Sequence, residues 1–113
     1  MTSPDVGWLQ DMLVEARRAM RFVSGMTKDE FLQNEKTQYA VVRCLEVIGE
    51  AAGNVSGETR AGLADVAWSK IIAQRHVAIH HYRKLDYSRI WITVRDDLPQ
   101  LIEQLDAFLA EIP

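Results

Sequence analysis

Apolar residues recur at three- and four-residue spacing along almost the whole chain, and that period commits it to helices. Trp8, Leu9, Met12, Leu13, Ala16, Met20 and Val23 mark a first amphipathic helix that ends near Ser24-Gly25. Thr27 and Glu30 have the spacing of a capping box and open a short second segment carrying Phe31 and Leu32. A third helix is expected from about Glu35 to Val55, with Val41, Cys44, Leu45, Ile48, Ala51 and Ala52 along its stripe. Gly49, Ala51, Ala52 and Gly53 thin its second half, which suits close contact with a neighbouring helix. Gly57 and Gly62 then mark a loop or short helical turn.

A fourth helix is expected from Val66-Ala67-Trp68 to about Tyr82. Asp86 is a good N-cap for a fifth, whose stripe runs from Trp91 to Ile112. Pro99 falls inside that stripe and should kink or break it. No stretch alternates at two-residue spacing, so no strand is expected. The fold class is all-α, an antiparallel bundle of four to five helices.

The length of 113 residues fits one domain, 1–113, with no repeat or linker. With 48% hydrophobic and 26% charged residues, the chain has a globular composition and not that of a disordered one. No apolar run approaches the roughly 18 residues of a membrane span. The N-terminus carries no basic region or apolar signal core, so the expected compartment is the cytoplasm. Cys44, the one cysteine, is expected to be a buried structural thiol. Trp8, Trp68 and Trp91 are expected in the core.

A net charge of −3 argues against a protein that coats nucleic acid by bulk electrostatics. The charge is uneven, however. Between Lys70 and Arg89 stand five basic residues (Lys70, Arg75, Arg83, Lys84, Arg89) and one acid, Asp86, a local balance of +4, with all three histidines. Such a window can meet a phosphate locally, although it is also an ordinary surface fluctuation.

On a helical wheel started at Arg75, Tyr82 lies about 20° to one side and His80 about 140° to the other. One arc of about 160° then carries Arg75, His76, His80, Tyr82 and Arg83, and His81 points to the opposite side. Cleavage of RNA without metal needs a base that works near neutral pH, a task for which histidine is suited. It also needs a fixed cation on the phosphorus-centred transition state, where a guanidinium offers aligned donors. Arg75 and His80 can supply the two. Their wide separation requires either a long reach by the arginine or a site shared by two subunits. Three other readings stay open on the residues alone. The histidines are simply solvated or packed, and Tyr82 anchors a loop; His76 and His80, at i, i+4 spacing, start a metal site that lacks nearby acids; or the chain is a non-catalytic partner.

Arg75-x4-His80-x-Tyr82 resembles the Arg-x4-His-x-Tyr motif of HepT-like toxins in the HEPN superfamily of helical ribonucleases. The resemblance extends over nearly the whole chain. It includes Asp11-Met12-Leu13, Glu30-Phe31-Leu32, the run from Ala40 to Ala51, Trp68-x-x-Ile71, Asp86-Tyr87-x-x-Ile90-Trp91 and Asp97-Leu98-Pro99. The resemblance implies a homodimeric bundle that brings two motif helices around one cleft, with Gly49 and the motif face near the subunit contact. It implies RNA as substrate, no metal or other cofactor, and Arg75 and His80 as the catalytic pair; His76 and Arg83, on the same arc, are the candidates to support substrate. It further implies the toxin half of a type VII toxin–antitoxin pair, silenced when an MntA-like nucleotidyltransferase antitoxin adds AMP to Tyr82. One position departs from the family pattern: His76 stands where asparagine is common. The competing expectation is a non-catalytic helical subunit of a nucleotidyltransferase complex.

Overall fold

The computed structural model describes residues 3–112. These residues are all-helical, as the apolar period requires. The elements are α1 (Ser3–Phe22), α2 (Lys28–Leu32), α3 (Glu35–Asn54), α4 (Gly57–Ala61), α5 (Trp68–His80), α6 (Tyr87–Ile92) and α7 (Leu98–Ala110). Local chemistry sets most of their starts. Thr27 and Glu30 form the expected capping box, Thr27 Oγ1 accepting from Glu30 N–H at 3.2 Å and Glu30 Oε1 from Thr27 N–H at 3.0 Å. Asn34, Ser56 and Asp86 accept the exposed N–H groups that open α3, α4 and α6.

α3 is the centre of the bundle. It packs against α1 on one side and α5 on the other, and α1 in turn packs against α7. Leu9, Met12, Phe31, Val41, Ile48 and Leu105 lie fully or almost fully out of contact with water, and Cys44, Trp68 and Trp91 are buried with them. Phe31 meets Trp91 with ring centroids 5.5 Å apart, which ties the short α2 to α6. At the other end of α1, the buried Asp5 carboxylate accepts hydrogen bonds from Ser56 N–H, Ser56 Oγ and Thr59 Oγ1 at 3.0, 2.7 and 2.7 Å. That network fastens the start of α1 to α4.

Pro99 disrupts its helix in a specific way. α6 runs into α7 through a wide π-type turn, Thr93–Asp97, in which Leu98 N–H bonds to the Thr93 carbonyl five residues back. Proline offers no N–H to the carbonyl four residues before it, and the widened turn absorbs the misfit without separating the two segments. Four long helical stretches therefore make the bundle: α1, α3, α5 and the continuous α6–α7.

The boundary whose departure from expectation matters most lies at the Arg75–Tyr82 motif. α5 ends at His80, not near Tyr82. His81 takes φ −132° and ψ 40°, and Tyr82–Lys84 form a tight 3₁₀ turn, with Lys84 N–H bonded to the His81 carbonyl at 2.8 Å. Leu85 packs against the core and Asp86 caps α6, so the chain must reverse within five residues of His80. That tertiary demand ends the helix early. No helix among the described residues is long and apolar enough to cross a membrane.

Candidate active site

α5 is a helix with little to bury. Only Trp68 and Ala78 are withdrawn from water along its length, and it packs chiefly on α3. Its first turn is anchored: Trp68 Nε1 donates to the Leu63 carbonyl at 3.1 Å, and the Arg60 guanidinium sits 5.5 Å from the Trp68 ring centroid. Its middle is set by Gly49 of α3, which is buried directly beneath the Arg75 side chain. Gly49 was expected near a subunit contact. Here its close neighbour is Arg75 of the same chain, and the absence of a side chain at 49 is what lets the two helices meet. The Arg75 stem is thereby fixed, half-buried, along α3, and its guanidinium makes no ion pair or hydrogen bond among the described residues.

The three histidines gather at the exposed end of α5. The His76 and His80 rings lie 4.6 Å apart between centroids, tilted by 43°, and the His81 ring is 5.8 Å from His76. His81 is therefore not set aside. The wheel placed it opposite because it assumed an unbroken helix, and the early end at His80 swings its ring back toward His76. For the same reason Tyr82 and Arg83 do not lie on the α5 wheel: both belong to the 3₁₀ turn, and both are exposed. Thus His76 and His80 come together as expected, His81 joins them, and Arg75 reaches them only as their neighbour on the helix.

The local charge is also redistributed. Lys70 pairs with Asp97 at 2.9 Å, so it contributes less free charge than its position suggested. Arg75, Arg83, Lys84 and Arg89 make no ion pair among the described residues. Nor do any three His, Cys, Asp or Glu side chains among them gather to hold a metal ion.

One part of the site was not anticipated. Tyr82 opens into a cavity of about 340 Å³ whose other wall is α3, through Tyr39, Arg43 and Glu46, with Tyr87 of α6 at its edge. Tyr39, Val42, Arg43 and Glu46 repeat at helical spacing, so a stripe on α3 existed in the sequence. Only the fold shows that the stripe faces Tyr82.

A family model described as Ribonuclease HepT-like matches residues 12–108, a span that includes all of α5 and its following turn. Two Methanocaldococcus jannaschii proteins share this likeness. "Putative RNase MJ1380" is 32% identical over 94% of this chain and 98% of its own length. "Putative RNase MJ0127" is 36% identical over 99% and 93% respectively. "Probable ribonuclease HepT" of Thermococcus cleftensis is 32% identical over 81% of this chain and 87% of its own. No solved structure matches at a significant level. A match over this much of the sequence, on an all-helical fold with the Arg75-x4-His80-x-Tyr82 motif exposed at one helix end, places the chain in the ribonuclease HepT-like family.

Proposed function

We propose that the chain is a single-domain, metal-independent endoribonuclease that acts as the toxin of a toxin–antitoxin pair, with Arg75 and His80 as its catalytic pair. The observation that carries this reading is the pairing of His76 and His80, 4.6 Å apart, on a helix whose outer face the fold leaves open. His80 removes the proton of a ribose 2′-hydroxyl, and that oxygen attacks the adjacent phosphorus. A bond forms from O2′ to phosphorus, the bond to the 5′ oxygen breaks, and the products are a cyclic phosphate and a 5′-hydroxyl. The neighbouring His76 donates a proton to the leaving 5′ oxygen. The Arg75 guanidinium, rigid at its base on Gly49, stabilises the extra negative charge on phosphorus, and Arg83 holds a flanking phosphate. None of these steps calls for a metal.

The face that α5 turns outward supports a dimeric site. Ile79, which helical geometry puts between Arg75 and His80, is 38% exposed there. A second copy covering this face places two Arg75/His80 pairs around one cleft. Arg75 need not then reach around its own helix.

Tyr82, 63% exposed, is the proposed off-switch. A nucleotidyltransferase antitoxin adding AMP to its hydroxyl forms a phosphodiester and releases pyrophosphate from ATP. The adduct brings a negative charge and a bulky nucleoside beside the histidines. Expression of the chain alone in bacteria tests the toxin role. Growth arrest that His80→Ala abolishes is expected; arrest that persists in both His80→Ala and Arg75→Ala contradicts it.

A further inference from the structure

The cavity beside Tyr82 is not an isolated hollow. A second cavity, of about 300 Å³, shares its Val42, Ala78 and Leu85 wall and continues between α5 and α6 toward Lys84 and Arg89. The two together form one groove that starts at the C-terminal turn of α5. One end is aromatic, with Arg43 and Glu46 beside the rings; the other carries Lys70, Lys84 and Arg89 against one acid, Asp86, and is cationic on balance. At the aromatic end, Tyr39 and Tyr82 are the two most exposed large apolar side chains among the described residues, at 68% and 63%. Tyr39 lies close enough to Tyr87 to help push the Tyr87 hydroxyl pKa up, after burial itself. At the cationic end, neither Lys84 nor Arg89 has an acidic partner among the described residues.

We propose that this groove is a subsite for single-stranded RNA, in which an unpaired nucleobase stacks on Tyr39 and the adjoining phosphates meet Lys84 and Arg89. This rests on the ribonuclease reading. Open tyrosine faces suit any base, because every base presents a π surface, and a groove of this size accepts a base only when it is free of a duplex. The apolar wall of Val42, Ala78 and Leu85 excludes water behind the base, while the free cations complement the strand. The groove thus selects loops and single strands over duplex RNA. It also gives Tyr82 a second role, as the groove's inner wall next to His80.

The test uses the full chain carrying His80→Ala, so that bound RNA survives, with a labelled single-stranded oligoribonucleotide and a hairpin stem of the same composition. Tyr39→Ala is expected to weaken binding of the single strand about 5- to 150-fold, the loss that follows removal of one base–aromatic stack. Tyr39→Phe, which keeps the ring face, is expected to restore it. Equal affinity of Tyr39→Ala and its parent for the single strand overturns the proposal. So does a change in sedimentation of Tyr39→Ala with RNA affinity intact, since the groove then receives a second copy. Cleavage by the His80-intact chain is measured beside these. If that chain fails to cleave yet binds single strands through Tyr39, the subsite stands and the ribonuclease reading falls.

Discussion

Gly49 of α3 lies so close to Arg75 of α5 that a Cβ added at 49 would overlap the Arg75 Cβ, while standing 3.1 Å from the Ile71 carbonyl oxygen. Both obstacles are rigid, one being backbone and the other the root of a side chain. The contact therefore sets the distance between the helix at the bundle's centre and the helix that carries the motif. Gly53, on the same helix, has nothing within 4 Å of a Cβ.

That pair of glycines yields a controlled comparison. Gly53→Ala should stabilise the fold by about 0.5–1 kcal/mol through helix propensity alone. Gly49→Ala gains the same propensity but must force α3 and α5 apart, an overpacking cost of about 1–3 kcal/mol, so net stability should fall. It should also slow RNA cleavage by displacing Arg75. Urea unfolding and cleavage rates on both variants check this, and a stabilised, fully active Gly49→Ala contradicts it.

Asp5 should be among the most sensitive polar positions. Its buried carboxylate serves three donors from Ser56 and Thr59. Asp5→Ala leaves those donors poorly satisfied and should cost about 2–3 kcal/mol of stability. Chemical denaturation measures it, and a loss below about 0.5 kcal/mol is what an ordinary surface change would give.

Cys44 should be chemically silent in the folded protein. Burial, reinforced by the neighbouring Glu15, pushes its thiol up to about 12 from an ordinary 9.0. The unfolded chain ionises this thiol first. Its contribution to stability is thus intact below about pH 9 and lost as pH rises from 9.0 toward 12. Thiol-reagent labelling at pH 8 should proceed only through unfolding, and the stability gap between the natural chain and Cys44→Ala should narrow between pH 8 and pH 10.5. Rapid labelling without denaturant contradicts the burial.

The helices were legible because their determinants are local: a repeating apolar stripe, the Thr27–Glu30 box, the Asp86 cap. Pro99 announced a disruption, but not that a π-type turn would absorb it. The motif residues were legible as a grouping on one helix. The end of that helix was not, because it depends on Leu85 reaching a core built from distant segments. From that single miss follow the misplacement of His81 and the wrong angular position of Tyr82. The α3 wall of the groove was hidden for the same reason, since Tyr39 and Tyr82 lie far apart in sequence.

The regrouped histidines make a graded expectation. His80→Ala should lower kcat about 10²- to 10⁴-fold, the usual worth of a positioned acid–base group. His76→Ala should lower it less, and His81→Ala least, because His81 neighbours His76 without being paired with His80. Initial rates on one RNA rank the three, and His81→Ala proving the most damaging would reassign the base.

Modification of Tyr82 should act on binding as well as chemistry, because an adenylate there fills the groove beside Tyr39. Protein carrying AMP on Tyr82 should lose affinity for single-stranded RNA, and Tyr82→Phe should resist modification while still cleaving. Label incorporation from ATP with a cognate nucleotidyltransferase, followed by peptide mapping, locates the adduct. Mapping to another residue contradicts the proposed switch.

The central claim is that Arg75 and His80 cleave RNA without metal. Its most direct measurement is the cleavage of a defined single-stranded RNA by the purified chain in excess chelator, beside Arg75→Ala and His80→Ala. The expected result is cleavage by the natural chain to cyclic-phosphate and 5′-hydroxyl ends, with folded but inactive variants. Undiminished cleavage by both variants, or cleavage abolished by the chelator and restored by a divalent metal, would contradict it.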